Sequence, residues 1–208
     1  MKILTKPTFS EESYYWQSNI DYIIGLDEVG RGAFAGPIVA AGVIFKPNFK
    51  HDLLGRINDS KLLKPKIREE LSEFIKENSI WAIESVDLNF INIHGIGKAN
   101  FAVLQKVLNK LKTRLNSENY FALVDGFDLK INKQKRIIKG DRRSLSIASA
   151  SIIAKVYRDN LMNKLDKKYP EYYFSNNKGY GTKIHREALK KFGLSEIHRS
   201  SFNLNKYL

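Results

Sequence analysis

Cysteine is missing from the 208 residues and histidine occurs only four times. This removes disulfides and thiolate metal sites and argues against a zinc centre. Any bound metal is therefore expected to have oxygen ligands. Long apolar runs are missing too: no window approaches the ~20 residues that cross a bilayer. Met1 to Asn19 carries polar and acidic residues where a secretory signal needs an apolar core. The expectation is a cytoplasmic protein with no use for a membrane. Acids are scarce beside bases, 22 Asp and Glu against 35 Lys and Arg, giving a net charge of +13 and a pI near 9.7. Such a surplus favours polyanions, because binding releases the counterions condensed on a phosphate backbone. The balance of 43% hydrophobic and 27% charged residues is that of a folded chain, and the length suits one compact domain over 1–208.

The positive charge is not evenly spread. Lys130, Lys133, Lys135, Arg136, Lys139, Arg142 and Arg143 crowd a segment that holds one acid, Asp141, as a phosphate-facing patch would. The organising stretch lies earlier. From Tyr22 to Leu26 an apolar, β-branched run reads as a buried strand and leads into adjacent carboxylates, Asp27 and Glu28. Gly30, Arg31, Gly32 and Gly36 follow, then a second strand-like run from Ile38 to Phe45. Burying a carboxylate costs several kcal/mol unless a cation or donors compensate. The pair therefore calls for Arg31, a metal or both, unless it sits at the solvated turn of a plain hairpin. Adjacent strand residues face opposite ways, so a shared site also predicts that the strand ends or twists at Glu28.

Residues 1 to 20 read as a lead-in that packs Tyr14, Tyr15 and Trp16 on the body. Asn58-Asp59-Ser60-Lys61 lies in a loop dense in turn formers, and Pro65 suits the first position of a helix along which Ile67, Leu71, Phe74 and Ile75 recur. Trp81 to Val86 predicts a third strand, and Val103, Leu104, Val107, Leu108, Leu111 and Leu115 stripe a long helix. Gly95-Ile96-Gly97-Lys98 lacks the spacing and the Ser or Thr of a P-loop. Tyr120 to Val124 repeats the opening pattern, an apolar run ending in an acid, Asp125, and a glycine. Two such ends place carboxylates along one edge of a sheet, where parallel-sheet proteins carry their chemistry. Asp141 follows a strand edge at Arg136 to Ile138, and residues 144 to 164 predict a helix with buried first turns, capped by Ser144 or Asp141. Thr182 suits an N-cap, and Tyr180, glycine-flanked among cations, is placed to stack on a sugar or base.

In order along the chain, Gly25-Leu26-Asp27-Glu28-Val29-Gly30-Arg31-Gly32, Asn58-Asp59-Ser60-Lys61, Val124-Asp125-Gly126, Lys139-Gly140-Asp141, residues 148 to 159, Lys178-Gly179-Tyr180-Gly181-Thr182 and Ile197-His198-Arg199 resemble the bacterial ribonuclease HII family. The resemblance runs from about Tyr22 to Phe202. It implies an α/β ribonuclease H-like fold, a mixed central sheet flanked by helices, with a C-terminal helical segment from about residue 160 walling a basic cleft. It implies that Asp27, Glu28, Asp125 and Asp141 are the catalytic metal ligands, holding two Mg2+ or Mn2+ ions per site. Gly30, Arg31 and Gly32 would sense a ribose 2′-hydroxyl, with Tyr180 against the sugar. The implied reaction is endonucleolytic hydrolysis of RNA in RNA/DNA hybrids and incision 5′ to single ribonucleotides in duplex DNA, leaving 3′-hydroxyl and 5′-phosphate ends. Such an enzyme serves ribonucleotide removal and primer degradation, here as a monomer with no obligate protein partner.

Asn58, Ser60, Lys61, Arg142, Arg143, Lys178 and Lys183 are the candidate phosphate contacts, and Asp159 is expected to partner a nearby cation rather than a metal. Ala33-Phe34 departs from the smaller or proline-containing pairs common in the family. No additional N-terminal binding domain of the ribonuclease HIII kind is expected before Tyr22. Two other classes share part of the pattern. A non-catalytic nucleic-acid-binding protein explains the charge but not three separate acid-bearing motifs. A DNA nuclease or resolvase on the same fold uses the carboxylates but has no need of a 2′-hydroxyl sensor.

Overall fold

The computed structural model describes residues 6–208; residues 1–5 of the expected lead-in lie outside them. In chain order the elements are α1 (Ser10–Trp16), β1 (Tyr22–Val29), β2 (Ile38–Ile44), α2 (Pro65–Asn78), β3 (Ile80–Val86), α3 (Leu88–Leu115), β4 (Tyr120–Asp125), β5 (Gln134–Ile137), α4 (Leu145–Lys168), α5 (Phe174–Asn177) and α6 (Lys183–Phe192). The strands form one mixed sheet in the order β3-β2-β1-β4-β5. β1 pairs antiparallel with β2, and β2 with β3, whereas β1, β4 and β5 run parallel. Among the described residues no helix is long and apolar enough to cross a membrane.

The near-continuous apolar runs of β1 and β2 follow from burial on both faces. Ile24 and Leu26 of β1 join Ile38, Ala40 and Ile44 of β2 against the Val103, Val107 and Leu111 stripe of α3. On the other face Val39, Ala41 and Val43 pack with Leu71 and Ile75 of α2 and with Ala148 and Ile152 of α4. The helices start where their capping residues predict. Pro65 opens α2, Asp87 accepts the Phe90 N–H (2.9 Å) at α3, and Ser144, not Asp141, accepts the Ile147 N–H (3.1 Å) at α4. Gly95 sits inside α3 at φ 79°, so the glycine pair there marks a kink and not a phosphate loop.

The lead-in contributes more than loose aromatic packing. Tyr15 stacks on Phe121 at 4.1 Å and Trp16 packs on Phe9 at 5.4 Å, but Tyr14 is 67% exposed. The element is held by an acid instead. Glu12 is fully buried and its Oε1 accepts the Ser144 hydroxyl (2.6 Å) and the Ser146 N–H (2.9 Å). It therefore satisfies donors at the start of α4, a role carboxylates fill well at helix N-termini.

The face of β1 that carries Asp27 approaches α4 so closely that Gly25 has no room for a side chain: an added Cβ would lie 2.2 Å from the Ser146 main-chain carbon. Backbone, unlike a flexible side chain, cannot step aside. Gly25→Ala is expected to destabilise the protein by about 3 kcal/mol, read as a lower urea midpoint at unchanged slope.

Candidate active site

β1 and β4 stay in parallel register as far as Leu26 and Val124. The next residue on each strand is an acid, so Asp27 and Asp125 come level where the pairing stops. A cleft of about 410 Å³ opens there, lined by Asp27, Glu28 and Asp125, by Gly30, Arg31 and Gly32, and by Ser60, Lys61 and Tyr180. The acid pair is not a solvated turn, since Asp27 is only 7% exposed.

The strand does not end at Glu28 as expected. β1 continues to Val29 and pairs with β2 through Glu28↔Ala40 and Val29↔Val39. In keeping with strand alternation, Asp27 lies beside Ser151 of α4 and Glu28 near Asn100 of α3, on opposite sides of the sheet. Both nevertheless border one cleft. β4 stops at Asp125, which leaves the last residues of β1 without a neighbour on that side, and the two faces of a strand meet at its open edge.

Burial is the largest cause pushing all four carboxyls upward. Asp27 is raised well above the usual carboxylate range, with Glu28 and Asp125 adding repulsion. Glu28 rises to about 7 although Arg31 pulls the other way, and Asp141 rises to about 6, with Asp59 and Asp125 adding to the effect of burial. Asp125 is raised as well, opposed by the Gly140 N–H that donates to its Oδ1 at 2.6 Å. The Glu28 Oε2 is buried with no hydrogen-bond partner. As the side chains stand, no three His, Asp or Glu among the described residues form a ready cation cage. The donor chemistry still fits a hard divalent ion: all oxygen, mutually repelling, with one orphaned carboxylate oxygen at the cleft.

The expected phosphate contacts divide. Ser60 and Lys61 reach the cleft, the Ser60 Oγ lying 3.0 Å from the Ser151 Oγ. Asn58 turns its Oδ1 back to the Asp59 N–H (2.8 Å), and Arg142 is paired with Asp59 (2.9 Å). Arg143 is taken by Glu11 of α1 (2.5 Å), and Lys178 by Asn163 and the Ser175 carbonyl. Lys183 is 88% exposed on α6, with Glu187 3.8 Å away. Within the basic segment Lys133 pairs with Glu118, Lys135 and Arg143 with Glu11, and Arg142 with Asp59, whereas Lys130, Arg136 and Lys139 stand exposed. Asp159 pairs with Lys155 (2.8 Å) and Arg68 (3.5 Å), the cation-partner role expected of it.

Two lining residues were missed from sequence, Ser151 and Lys155. They stand one helical turn apart on α4, and that i,i+4 spacing just after Asp141 was the available signal.

Parallel strands delivering acids to the edge of a five-stranded mixed sheet, with helices on both faces, place the protein in the ribonuclease H-like α/β class. A family profile described as Ribonuclease HII matches residues 24–205, and the chain belongs to that family. It is 51% identical over 189 residues to ribonuclease HII of Clostridium acetobutylicum, covering 88% of this chain and 72% of that protein. Among solved structures, ribonuclease H2 from Pyrococcus horikoshii superposes with a TM-score of 0.71 at 25% identity, covering 89% of this chain and 96% of that one. Bst-RNase HIII in complex with Mn2+ shares the fold with a TM-score of 0.71 at 21% identity, over 90% of this chain and 69% of that one. Membership makes the protein a ribonuclease H-type endonuclease, a hydrolase acting on RNA in RNA/DNA hybrids.

A carboxyl whose pKa is higher folded than unfolded binds more protons in the folded state, so it supports folding at low pH and that support is lost as pH rises through the folded value. For Glu28, raised from 4.5 to about 7, the loss builds between about pH 4.5 and 7 and is complete above that. In chelator, the Tm of the protein is expected to drop by several °C over that interval, and Glu28→Gln is expected to reduce the drop in a calorimetric pH series.

Proposed function

We propose that the enzyme incises on the 5′ side of a single ribonucleotide in duplex DNA as well as within longer RNA/DNA hybrids, leaving 3′-hydroxyl and 5′-phosphate ends. Asp27, Glu28, Asp125 and Asp141 are the residues that would hold two Mg2+ or Mn2+ ions. The observation that carries this reading is the sharing of one cleft by three of these carboxylates, by Gly30, Arg31 and Gly32, and by Tyr180. Asp141 stands close enough to Asp125 for the two to repel. The Mn2+ complex of Bst-RNase HIII supports the choice of cation. When bound, the ions would supply an activated water and neutralise charge on the phosphate.

The chain's own residues position the substrate. The glycine-bearing backbone offers its polar groups to a 2′-hydroxyl without side chains in the way, and the 2′-hydroxyl is what separates RNA from DNA locally. Lys61 would supply positive charge beside the scissile phosphate, and Ser60 a hydroxyl, while Lys155 is held at the cleft by Asp159. Tyr180, braced by the Arg158 guanidinium 5.4 Å from its ring centroid, would lie on the sugar. It comes from the C-terminal segment after about residue 160, which this reading makes the cleft wall of a single domain acting as a cytoplasmic monomer.

Asp125→Asn is expected to lower cleavage of an RNA/DNA hybrid by about 1,000-fold while hybrid affinity stays within about threefold. Full activity in that variant would remove the carboxylate site. Tyr180→Ala is expected to slow incision at a lone ribonucleotide by about tenfold or more. Both are measured on duplexes with one ribonucleotide beside all-DNA duplexes, with and without chelator. Equal cutting of all-DNA would favour a DNA nuclease, and salt-sensitive binding without turnover would favour a passive binding protein.

A further inference from the structure

His185 of α6 is fully buried and His198 is 3% exposed, and their Nε2 atoms lie 3.0 Å apart. The cage around them is aromatic: Tyr172 is 4.7 Å from His198 between ring centroids, and Phe174 and Phe34 are 5.4 and 5.9 Å from His185. The outer nitrogen of each ring has a partner of fixed polarity. His185 Nδ1 faces the Tyr180 carbonyl oxygen at 3.0 Å, and His198 Nδ1 faces the Ser195 N–H at 2.9 Å and its hydroxyl at 2.8 Å.

A carbonyl only accepts, so His185 must carry its proton on Nδ1 and leave Nε2 bare. His198 must then donate from Nε2, which leaves its own Nδ1 bare, and that is the atom a main-chain N–H addresses. The two ends of the chain of bonds demand the same proton order independently. A further proton on either ring would set two N–H groups head to head or against a donor. Burial agrees, lowering both imidazoles, His198 to about 4.

We infer that His185 and His198 form a neutral, proton-ordered pair that positions Tyr180 through its main-chain carbonyl and ties it to the Gly-Arg-Gly loop. The tie is direct in the chain: Arg199, the residue after His198, donates to the carbonyls of Arg31 (2.9 Å) and Gly36 (2.9 Å). The two parts of the cleft proposed to inspect the sugar are thus set against each other by adjacent residues of one segment. His185 and His198 are positioning residues, and the inference rests on the proposed role of Tyr180.

Ring ¹⁵N shifts of the wild-type enzyme at pH 7 test the pair without a substitution. The expected result is Nδ1–H at His185 and Nε2–H at His198, both neutral; Nε2–H at His185, or a charged ring, would overturn the inference. A double-mutant cycle tests its consequence. His185→Phe is expected to lower kcat at a single ribonucleotide about tenfold, the worth of about one hydrogen bond, with KM within about twofold. In a Tyr180→Ala background the same change is expected to cost less than about twofold, and His185→Asn, whose Nδ2 can reach the Tyr180 carbonyl, to recover most of the loss. A full tenfold loss persisting in the Tyr180→Ala background would show that the pair acts elsewhere and sink the inference alone. An unaffected Tyr180→Ala enzyme would instead retract the sugar contact, and the ¹⁵N result would still decide the proton order.

Discussion

The cleft is shaped by two cations buried without a carboxylate partner among the described residues. Arg158 and Arg199 are each 0% exposed. Arg158 donates to the carbonyls of Pro37 (3.0 Å), Lys178 (2.8 Å) and Ala35 (3.1 Å), while Arg199 donates to Gly36 through Nε (3.0 Å) and Nη2 (2.9 Å) and to Arg31 (2.9 Å). Carbonyl dipoles replace only part of a guanidinium's hydration, so such burial is costly. Desolvation lowers the pKa of both arginines, Arg199 to about 9 with Arg158 adding repulsion. What the cost secures is geometry. A planar fork of fixed donors holds several carbonyls of residues 31–37 in one arrangement, and it does so from α4 and from the C-terminal segment at once. Remove that hold and the loop that follows the acid pair has no reason to keep its path.

Charge is then separated across the same short loop. On one side lie buried acids that repel one another, on the other buried cations with only dipoles for company. Neither group is at ease alone: the acids line the open cleft, while the cations lie buried behind the loop that forms its wall. The acid side is costly for a topological reason. Because β1 keeps its pairing with β2 through Val29, Asp27 and Glu28 approach the cleft from opposite faces of the sheet. Only the early end of β4 lets them serve a common space. The strand did not need to twist; its neighbour needed to stop.

Local chemistry was legible in the sequence and long-range chemistry was not. The apolar runs of β1, β2 and β4, the Pro65 helix start and the Ser144 and Thr182 caps each depend on residues within one turn or one strand, and all are where the sequence placed them. The acids at the ends of β1 and β4 were legible because a buried run ending in a charge is rare. By contrast, how the bases between Lys130 and Arg143 divide between solvent and ion pairs was not legible: that Lys135 and Arg143 meet Glu11 is decided by α1, more than a hundred residues earlier. The burial of His198 and Arg199 was illegible for the same reason. Their carbonyl and imidazole partners lie on other segments, and nothing in a run of three residues distinguishes a solvated arginine from one that threads a core. Glu12 is the mirror case, an unremarked acid that satisfies donors at the start of α4.

The glycines around Arg31 separate into two physical kinds, and the difference bears on recognition. Gly30 has φ +89°, and an added Cβ would meet the Arg158 Nε at 2.2 Å. Its glycine is demanded by the protein's own packing and by the left-handed backbone, whatever the substrate. Gly32 is unlike it: its φ lies outside the left-handed region and a Cβ there would meet nothing within 4 Å. Within the free enzyme an alanine at that position would be harmless, or slightly stabilising through the unfolded chain. On the proposed reading the two glycines therefore do different work: Gly30 keeps the loop packed on Arg158, and Gly32 leaves bare backbone on the cleft wall where the sugar edge would come.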